Sequence, residues 1–203
     1  MIIGFIHEKT FRLMKKLFVL GKILKSDSDA IAVVGAREMT ERGRKLTVHF
    51  VEKLVEAGFT IVSGLARGID TVAHETALAA GGRTIAVLGS GIDVIYPHRN
   101  KSLAEKITKA GAVVSSFAKG TKPFGKNFLA RNRIIVNLSQ AVLVIEGARR
   151  SGTLSTASWA ANDGTEVFVV PGSEATDWLI EQGANVANDP ADIIEYLNAV
   201  NHR

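Results

Sequence analysis

Residues Ile61–His74 read IVSGLARGIDTVAH and decide how the rest of this chain is interpreted. A β-favouring run leads into Ser63 and Gly64, Gly68 follows, and the residues after it have a helical pattern. At such a strand–helix junction, backbone N–H groups and a helix N-terminus can approach an anion closely, because glycine has no Cβ to block the approach. The stretch therefore predicts a phosphate site, for a phosphate that is free, in a nucleotide or in DNA.

On both sides of this stretch, short apolar runs alternate with helix-like segments. The runs are 30–34, 60–63, 84–88, 112–115, 141–145 and 166–170. Helices are expected at 41–57, 69–80, 101–110, 128–139, 153–162 and 189–198. This alternation is typical of a parallel sheet covered by helices on both faces. We expect an α/β fold with a doubly wound, mostly parallel sheet, in one domain over residues 30–203.

The first 29 residues are expected to form an N-terminal helical extension. Apolar residues in 1–25 are separated by six basic ones, so no run reaches the roughly 18 residues of a membrane span. A signal peptide is not indicated, because an unbroken apolar core and a small-residue cleavage site are not evident. The pattern favours a basic amphipathic helix that packs on the domain, with a helix on a membrane surface as the alternative.

Composition narrows the classes of function. The chain has no cysteine, which excludes disulfides, thiolate metal sites and cysteine nucleophiles and fits a reducing, cytoplasmic setting. Its five histidines are scattered without ligand spacing, so we expect no metal. The net charge is +5, and the segment Lys119–Arg150 alone contains seven basic residues and one acidic residue, Glu146. Such a cluster indicates a polyanionic partner or, alternatively, a solvated basic face.

Glycine-containing loops follow five of the six predicted strands. They lie at 35–37, 63–70, 89–93, 146–153 and 171–173. Because ligands of a doubly wound sheet bind beyond the C-terminal ends of the strands, the loops together predict a long, glycine-floored groove. A G-x-G-x-x-G pattern does not follow the first strand, and no ribose-binding acid is obvious, which argues against NAD.

A second dense motif is NFLARNRII at 127–135, where Asn127 could cap a helix. Arg131 lies on the same helical side as the apolar stripe and should be held over the strand-end crevice. Arg133 is rotated from it by about 200°, so Arg131 is expected to be the closer phosphate contact. Phe128 could stack on a base of single-stranded nucleic acid or staple the start of the helix in the core.

Taken in order, these motifs resemble the DNA-processing protein A (DprA, or Smf) family over about residues 30–172. They are GAR at 35–37, IVSGLARGID with His74, AVLGSGIDVIYP at 86–97 with Asn100, NFLARNRIIVNLS at 127–139, VIEGARRSGTLSTA at 144–157 and VFVVPGS at 167–173. The resemblance implies a Rossmann-like domain that binds single-stranded DNA, dimerises, and helps load the RecA recombinase during natural transformation. It implies neither an enzyme nor a cofactor.

Carried over position by position, the resemblance implies a DNA pocket with phosphate-facing N–H groups in the Ser63–Gly68 loop. The expected DNA- or phosphate-binding residues are Gly35, Arg37, Ser63, Gly64, Ala66, Arg67, Gly68, Gly89, Gly91, Lys126, Phe128, Arg131, Arg133, Ser151, Gly152 and Thr153. The 29 residues before the core and the roughly 30 after Gly172 are expected to fit neither the extra helical domain nor the winged-helix-like domain of many family members. This chain also has His98 where a lysine is often found.

Two other readings stay open. The chain also resembles nucleotide phosphoribohydrolases in a Gly-Thr loop at 152–153, but without a glutamate in the next several residues to act on the ribose. Glu146 could orient Arg131 or cap a helix, while Asp70 and His74 could form a catalytic pair or close a helical turn. A nucleotide sensor or carrier, which binds a small phosphate ligand without turnover, is the third possibility.

Overall fold

The computed structural model describes residues 17–149 and 151–201. In this part of the chain, eight strands form one sheet. They are β1 Phe18–Gly21, β2 Ala30–Val34, β3 Thr60–Ser63, β4 Thr84–Val87, β5 Ala112–Ser115, β6 Ala141–Val144, β7 Glu166–Val169 and β8 Asn185–Val186. The helices are α1 Glu41–Glu56, α2 Ile69–Ala79, α3 Lys101–Ala110, α4 Gly125–Asn137, α5 Gly152–Asp163, α6 Glu174–Glu181 and α7 Pro190–Asn201. Short 3₁₀ helices occupy Lys25–Ser28 and His98–Asn100.

The strand order is β1-β5-β4-β3-β2-β6-β7-β8. Strand β1 is antiparallel to β5, and every other neighbouring pair is parallel. The chain winds from β2 outward in one direction and restarts at β6 in the other, which makes β2–β6 the switch point where open α/β sheets bind ligands. The predicted doubly wound α/β class is therefore confirmed.

Alternate residues of the central strand pack into different layers of the core. Ala30, Ala32 and Val34 of β2 face the layer formed by α4, α5 and α6, whereas Ile31 and Val33 face α1, α2 and α7. All five are buried. A strand covered on both faces needs apolar side chains at every position, and this is why the six core strands read as continuous apolar runs.

The predicted core elements agree closely with the structure, and the first residues do not. All six predicted strands end within one residue of their expected ends. The predicted N-terminal helix lies largely outside the described residues, but within them it is wrong at Phe18–Gly21, which form strand β1. Pairing of β1 with β5 brings part of the predicted extension 1–29 into the sheet. The sequence reading also missed β8 and α6, and α4 begins at Gly125 rather than 128.

Among the helices that the structure describes, none is long and apolar enough to cross a lipid bilayer.

Candidate nucleic-acid interface

A cleft of about 610 Å³ lies at the switch point, beyond the C-terminal ends of β2 and β3 and between the starts of α4 and α5. Nine of the predicted binding residues line it: Gly35, Arg37, Ala66, Arg67, Phe128, Arg131, Ser151, Gly152 and Thr153. The cleft is of the size that small ligands or one segment of a polymer occupy. Most of the predicted residues thus lie together at the strand ends, where the loop pattern placed the site.

The loop that carries Arg37 is held at both ends by Glu146. The Glu146 carbonyl accepts the Ala36 N–H (N···O 2.9 Å). The Glu146 carboxylate accepts the Thr40 N–H (2.7 Å) and the Thr40 hydroxyl (2.6 Å), and Thr40 in turn caps α1. Glu146 is 5 % exposed, and its carboxylate occupies the space that a side chain at Gly43 would need. Glu146 therefore holds Thr40, the residue that caps α1, and is not itself the cap.

The β3–α2 loop is kept in an unusual shape by buried polar side chains. Leu65 has a φ of 58°, a left-handed conformation that costs a non-glycine residue about 1 kcal/mol or more. Asn100 is buried and donates through Nδ2 to the Leu65 carbonyl and to Thr71 Oγ1, both at 2.9 Å. Thr71 Oγ1 donates to the Ala66 carbonyl at 2.6 Å. Asn100 therefore fixes the loop from a connection that follows a different strand.

Arg131 is inserted under the strand ends, as the helical stripe predicted. It is 3 % exposed, and its Nη1 donates to the Val87 carbonyl at 2.7 Å and to the Gly64 carbonyl. Burial lowers the pKa of Arg131 to about 10, an effect that nearby Asp70 opposes and Arg37 reinforces. Its Nε is buried without a hydrogen-bond partner among the described residues. Arg131 contributes positive charge beneath the cleft rather than a freely accessible guanidinium.

Asp70 and His74 each hydrogen-bond to a residue outside this pair. His74 is fully buried, and its Nδ1 bonds to Thr84 Oγ1 at 2.6 Å. Because the Thr84 hydroxyl donates to the Ile61 carbonyl, we assign the His74 proton to Nδ1. Burial, together with the charge of Arg131, lowers the pKa of His74 to about 3. Burial also raises the pKa of Asp70, whose Oδ2 accepts the Ala66 N–H at 3.3 Å. Both residues support the loop from inside.

Aromatic and cationic side chains meet at the wall of the cleft. Phe128 is half-buried, with the guanidinium carbons of Arg37 and Arg131 at 5.3 and 5.7 Å from its ring centroid. Arg37 is exposed. Tyr96 is 50 % exposed, and its ring centroid lies 5.8 Å from that of Phe128 at an interplanar angle of 45°. These contacts are within cation–π and ring-packing range.

Several predicted residues do not belong to an open groove. Ser63 is fully buried and its hydroxyl donates to the Val33 carbonyl at 2.7 Å, so its side chain points into the protein. Gly64 is buried, and Arg131 occupies the space beside it. Gly89 lies beneath the Phe128 ring, and a Cβ at Gly91 would stand 2.6 Å from the Ala118 carbonyl oxygen. At these three positions only glycine leaves room for neighbouring protein atoms, so internal packing explains the glycines without a ligand.

The remaining loop and helix positions fall into two groups. Gly68 packs its backbone against the carbonyls of Ala36 and Arg37, behind the cleft wall. Lys126 and Arg133 are exposed but do not line the cleft. Arg133 lies over the Trp159 ring, 4.3 Å from its centroid, on another side of α4 from Arg131, in agreement with the helical geometry.

The start of α5 provides polar groups to the cleft. Ser151 is the N-cap residue, and its buried Oγ has no hydrogen-bond partner among the described residues. Gly152 is exposed and Thr153 is buried. The first N–H groups of a helix and its dipole favour an anion at this end.

Two buried asparagines position the site and were not given a role from the sequence. Asn100 braces the Leu65 loop, and Asn132 Nδ2 donates to the Gly152 carbonyl at 3.2 Å, which ties α4 to the start of α5. Each asparagine lies between two basic residues in the sequence, and this context carries no information about the partner of the amide. Asn127 does not cap α4; it lies in the first turn and donates to the Lys122 carbonyl.

The basic segment 119–150 is mostly at the surface. Lys119, Lys122, Lys126, Arg133 and Arg149 are exposed, and Arg131 is buried. Among the described residues, no three or more histidine or acidic side chains lie in an arrangement that could hold a metal ion.

The sequence is similar to characterised DNA-processing proteins over most of its length. The family model for DNA recombination-mediator protein A matches residues 9–198. Protein Smf of Escherichia coli is 46 % identical over 188 residues, which are 89 % of this chain and 50 % of Smf. DprA of Streptococcus pneumoniae is 40 % identical over 88 % of this chain and 65 % of DprA. This chain thus spans about half to two thirds of the length of these relatives.

Solved structures agree with the sequence comparison. DprA from Streptococcus pneumoniae superposes with a TM-score of 0.84 at 39 % identity, over 88 % of this chain and 65 % of that one. A structure of DprA from Helicobacter pylori, described as giving its single-stranded DNA binding mode, superposes with a TM-score of 0.83 at 31 % identity, over 90 % and 86 %. A molybdenum cofactor binding protein from Rippkaea orientalis, at 20 % identity and a TM-score of 0.63, shares the fold alone.

Proposed function

Because this chain belongs to the DNA recombination-mediator protein A family, we propose that it binds single-stranded DNA in the switch-point cleft. The observation that supports this most strongly is the contact of exposed Arg37 with Phe128 at the mouth of the cleft. A cation beside an aromatic ring can contact a phosphate and a base of the same strand. The start of α5, where the Ser151 hydroxyl has no hydrogen-bond partner among the described residues, also lines the cleft and suits a second phosphate.

The cleft favours a single strand over a duplex. Its residues come from loops and helix starts around a concave site, whereas a reader of the major groove presents a projecting helix or two-stranded ribbon. A half-buried ring is useful only if bases are unstacked from a partner strand. We therefore expect weak sequence preference, since stacking and phosphate contacts are common to all four nucleotides.

We propose binding without turnover. Each candidate acid or base has a structural role: Glu146 holds the cap residue Thr40, His74 bonds to Thr84, and Asp70 accepts the Ala66 N–H. A nucleotide hydrolase needs a general acid or base within hydrogen-bond reach of its substrate. Binding of a mononucleotide remains the second candidate, favoured by the cleft volume of about 610 Å³.

The wider role follows from the family resemblance. We propose that the protein acts in the cytoplasm as a homodimer and passes bound DNA to the RecA recombinase in DNA uptake and recombination. The exposed basic residues around α4 would keep the strand associated with the protein during this transfer.

Fluorescence anisotropy with a labelled oligonucleotide of about 16 nucleotides tests the proposal. With three or four phosphate contacts, affinity should fall roughly 20- to 50-fold between about 50 mM and about 200 mM salt. Unlabelled single-stranded DNA should compete, whereas duplex DNA of the same sequence and a nucleoside monophosphate should compete poorly. Absence of binding, or tight binding of the monophosphate with no competition by DNA, would overturn the proposal.

A further inference from the structure

We infer that the DNA-binding surface continues from the cleft over Tyr96 onto the β4–α3 and β5–α4 loops, where Tyr96 stacks on a second base. This inference rests on the proposed function and extends it to a subsite outside the cleft lining. It also sets the path of the DNA from the cleft, which runs along the sheet edge toward β4 and β5 and not toward β7.

The first observation concerns which ring is open. Phe128 already contacts Gly89 on one side and has the Arg37 and Arg131 guanidiniums near its ring. Tyr96 is 50 % exposed, and its ring contact is with Phe128. A base arriving at this pair therefore finds more free aromatic surface on Tyr96 than on Phe128. Base–aromatic stacking requires such an uncovered ring face.

The second observation is that the backbone on either side of Tyr96 is braced. Before it, Ser90 Oγ donates to the Val94 carbonyl at 2.6 Å. After it, the Asn100 N–H donates to the Pro97 carbonyl at 2.9 Å, and the Asn100 side chain is anchored to the β3–α2 loop. A ring on a fixed backbone loses less conformational entropy when it binds, which increases affinity for a given contact area.

The third observation is positive charge beside this ring. The Tyr96 loop is joined to the β5–α4 loop by two bonds: Gly91 N–H to the Thr121 carbonyl, and Gly120 N–H to Asp93 Oδ1, both at 2.9 Å. Lys119 and Lys122 of that loop are exposed. The carboxylate of Asp93 is also exposed, but the two lysines outnumber it, so the loop pair carries a net positive charge.

The opposite end of the sheet edge carries charges of both signs, because Arg42 Nη2 donates to the Pro171 carbonyl at 2.7 Å beside the acidic start of α6. The loop after β7 leads into α6, whose first turn contains Glu174 and Asp177, both exposed. Asp177 accepts the Gly172 N–H at 2.8 Å, and Glu174 faces the Arg149 N–H at 3.4 Å. Carboxylates there repel backbone phosphates and occupy N–H groups that a phosphate would use. The loop pattern predicted one long groove over five strand ends. We infer that the strand uses only part of it.

The test measures oligonucleotide affinity by anisotropy for Tyr96→Ala, Tyr96→Phe and the double variant Lys119→Gln/Lys122→Gln. Tyr96→Ala should weaken binding about fivefold to a hundredfold, the range of one lost stacking contact, and Tyr96→Phe should stay close to wild type. The double lysine variant should reduce the salt slope by about 1.4, which is two single-strand phosphate contacts. Val200→Ala, which truncates an exposed apolar side chain on α7, is the matched control.

Distinct outcomes separate this inference from the proposed function. If wild-type protein fails to bind single-stranded DNA, the proposed function fails. If wild type binds but Tyr96→Ala binds equally well, or Tyr96→Phe loses as much as Tyr96→Ala, the stacking subsite is refuted. Glu174→Gln should leave the affinity for the oligonucleotide nearly unchanged if the DNA runs toward β5. A gain in affinity larger than the loss caused by the lysine variant would mean that the DNA runs toward β7. Thermal unfolding of each variant checks that the fold is intact.

Discussion

Replacement of Glu146 by alanine tests whether the Arg37 loop is positioned by the carboxylate beneath it. The change removes two short hydrogen bonds, from the Thr40 N–H and the Thr40 hydroxyl, and leaves a space above Gly43. Hydrogen bonds to a charged group contribute about 1.5–3 kcal/mol each, and part of the loss is recovered because Thr40 can bond to water. We expect the free energy of unfolding to fall by about 3 kcal/mol.

Glu146→Gln serves as the conservative variant. An amide keeps one oxygen for the Thr40 N–H but presents N–H₂ to the Thr40 hydroxyl, which already accepts the Gly43 N–H. About half of the loss should therefore remain, roughly 1.5 kcal/mol. Urea denaturation monitored by circular dichroism measures both variants, with an unchanged m-value as the check on two-state behaviour.

The link to binding is measured by a double-mutant cycle with Arg37→Ala. If Glu146 acts on DNA through the Arg37 loop, Glu146→Ala should lower affinity about tenfold in the wild type and hardly at all when Arg37 is already absent. Equal stability of all variants would show that the hydrogen bonds from Thr40 to Glu146 do not hold the Arg37 loop. Fully additive losses of affinity would refute positioning of Arg37 by Glu146 while leaving the helix cap intact.

Three further changes have outcomes that follow from the contacts. The pKa of His74 is near 6.5 in the unfolded chain but about 3 in the fold, so the free energy of unfolding should fall below about pH 6.5, by up to ~1.4 kcal/mol per pH unit. For His74→Gln, denaturation at pH 7 and pH 5 should show a smaller fall. An equally large fall in the variant would contradict this role of His74. Arg83→Ala removes the bidentate partner of buried Asp27 and should lower the free energy of unfolding by about 3–5 kcal/mol. The protein that stays folded should bind DNA with unchanged affinity, and a loss of affinity in that folded protein would place this pair in the binding site. Asn100→Ala releases the Leu65 carbonyl and should raise the hydrogen exchange rate of the β3–α2 loop at least tenfold, whereas unchanged exchange would show that the loop keeps its shape alone.

The core strands could be predicted because each one is covered on both faces. Full burial forces continuous apolar runs, and such runs are visible without any knowledge of their partners. Strand β1 was missed because its four residues are all exposed by at least a third and sit in a basic, helix-like context. Strand β8 has two residues, too few for a pattern. Helix α6 is short, although the Ser173 cap that begins it is a recognisable start signal.

The site could be predicted to the level of the strand ends, but not of individual groups. Helical periodicity correctly separated Arg131 from Arg133, because rotation about one helix is a local property. The glycines after β3 and β4 looked equivalent to those around a phosphate, yet Gly64 and Gly89 accommodate Arg131 and Phe128. A glycine reports that something approaches closely, and only the tertiary contacts identify what approaches.

The central claim is that the switch-point cleft is where single-stranded DNA binds, and Arg37→Ala tests it most directly. The matched control is Lys109→Ala, which removes the same charge from an exposed position in the last turn of α3, away from the cleft. In parallel anisotropy titrations at about 100 mM salt, Arg37→Ala should weaken binding roughly tenfold, while Lys109→Ala should change it less than about twofold. Equal effects of the two substitutions would show that DNA binds to general surface charge and would contradict the account.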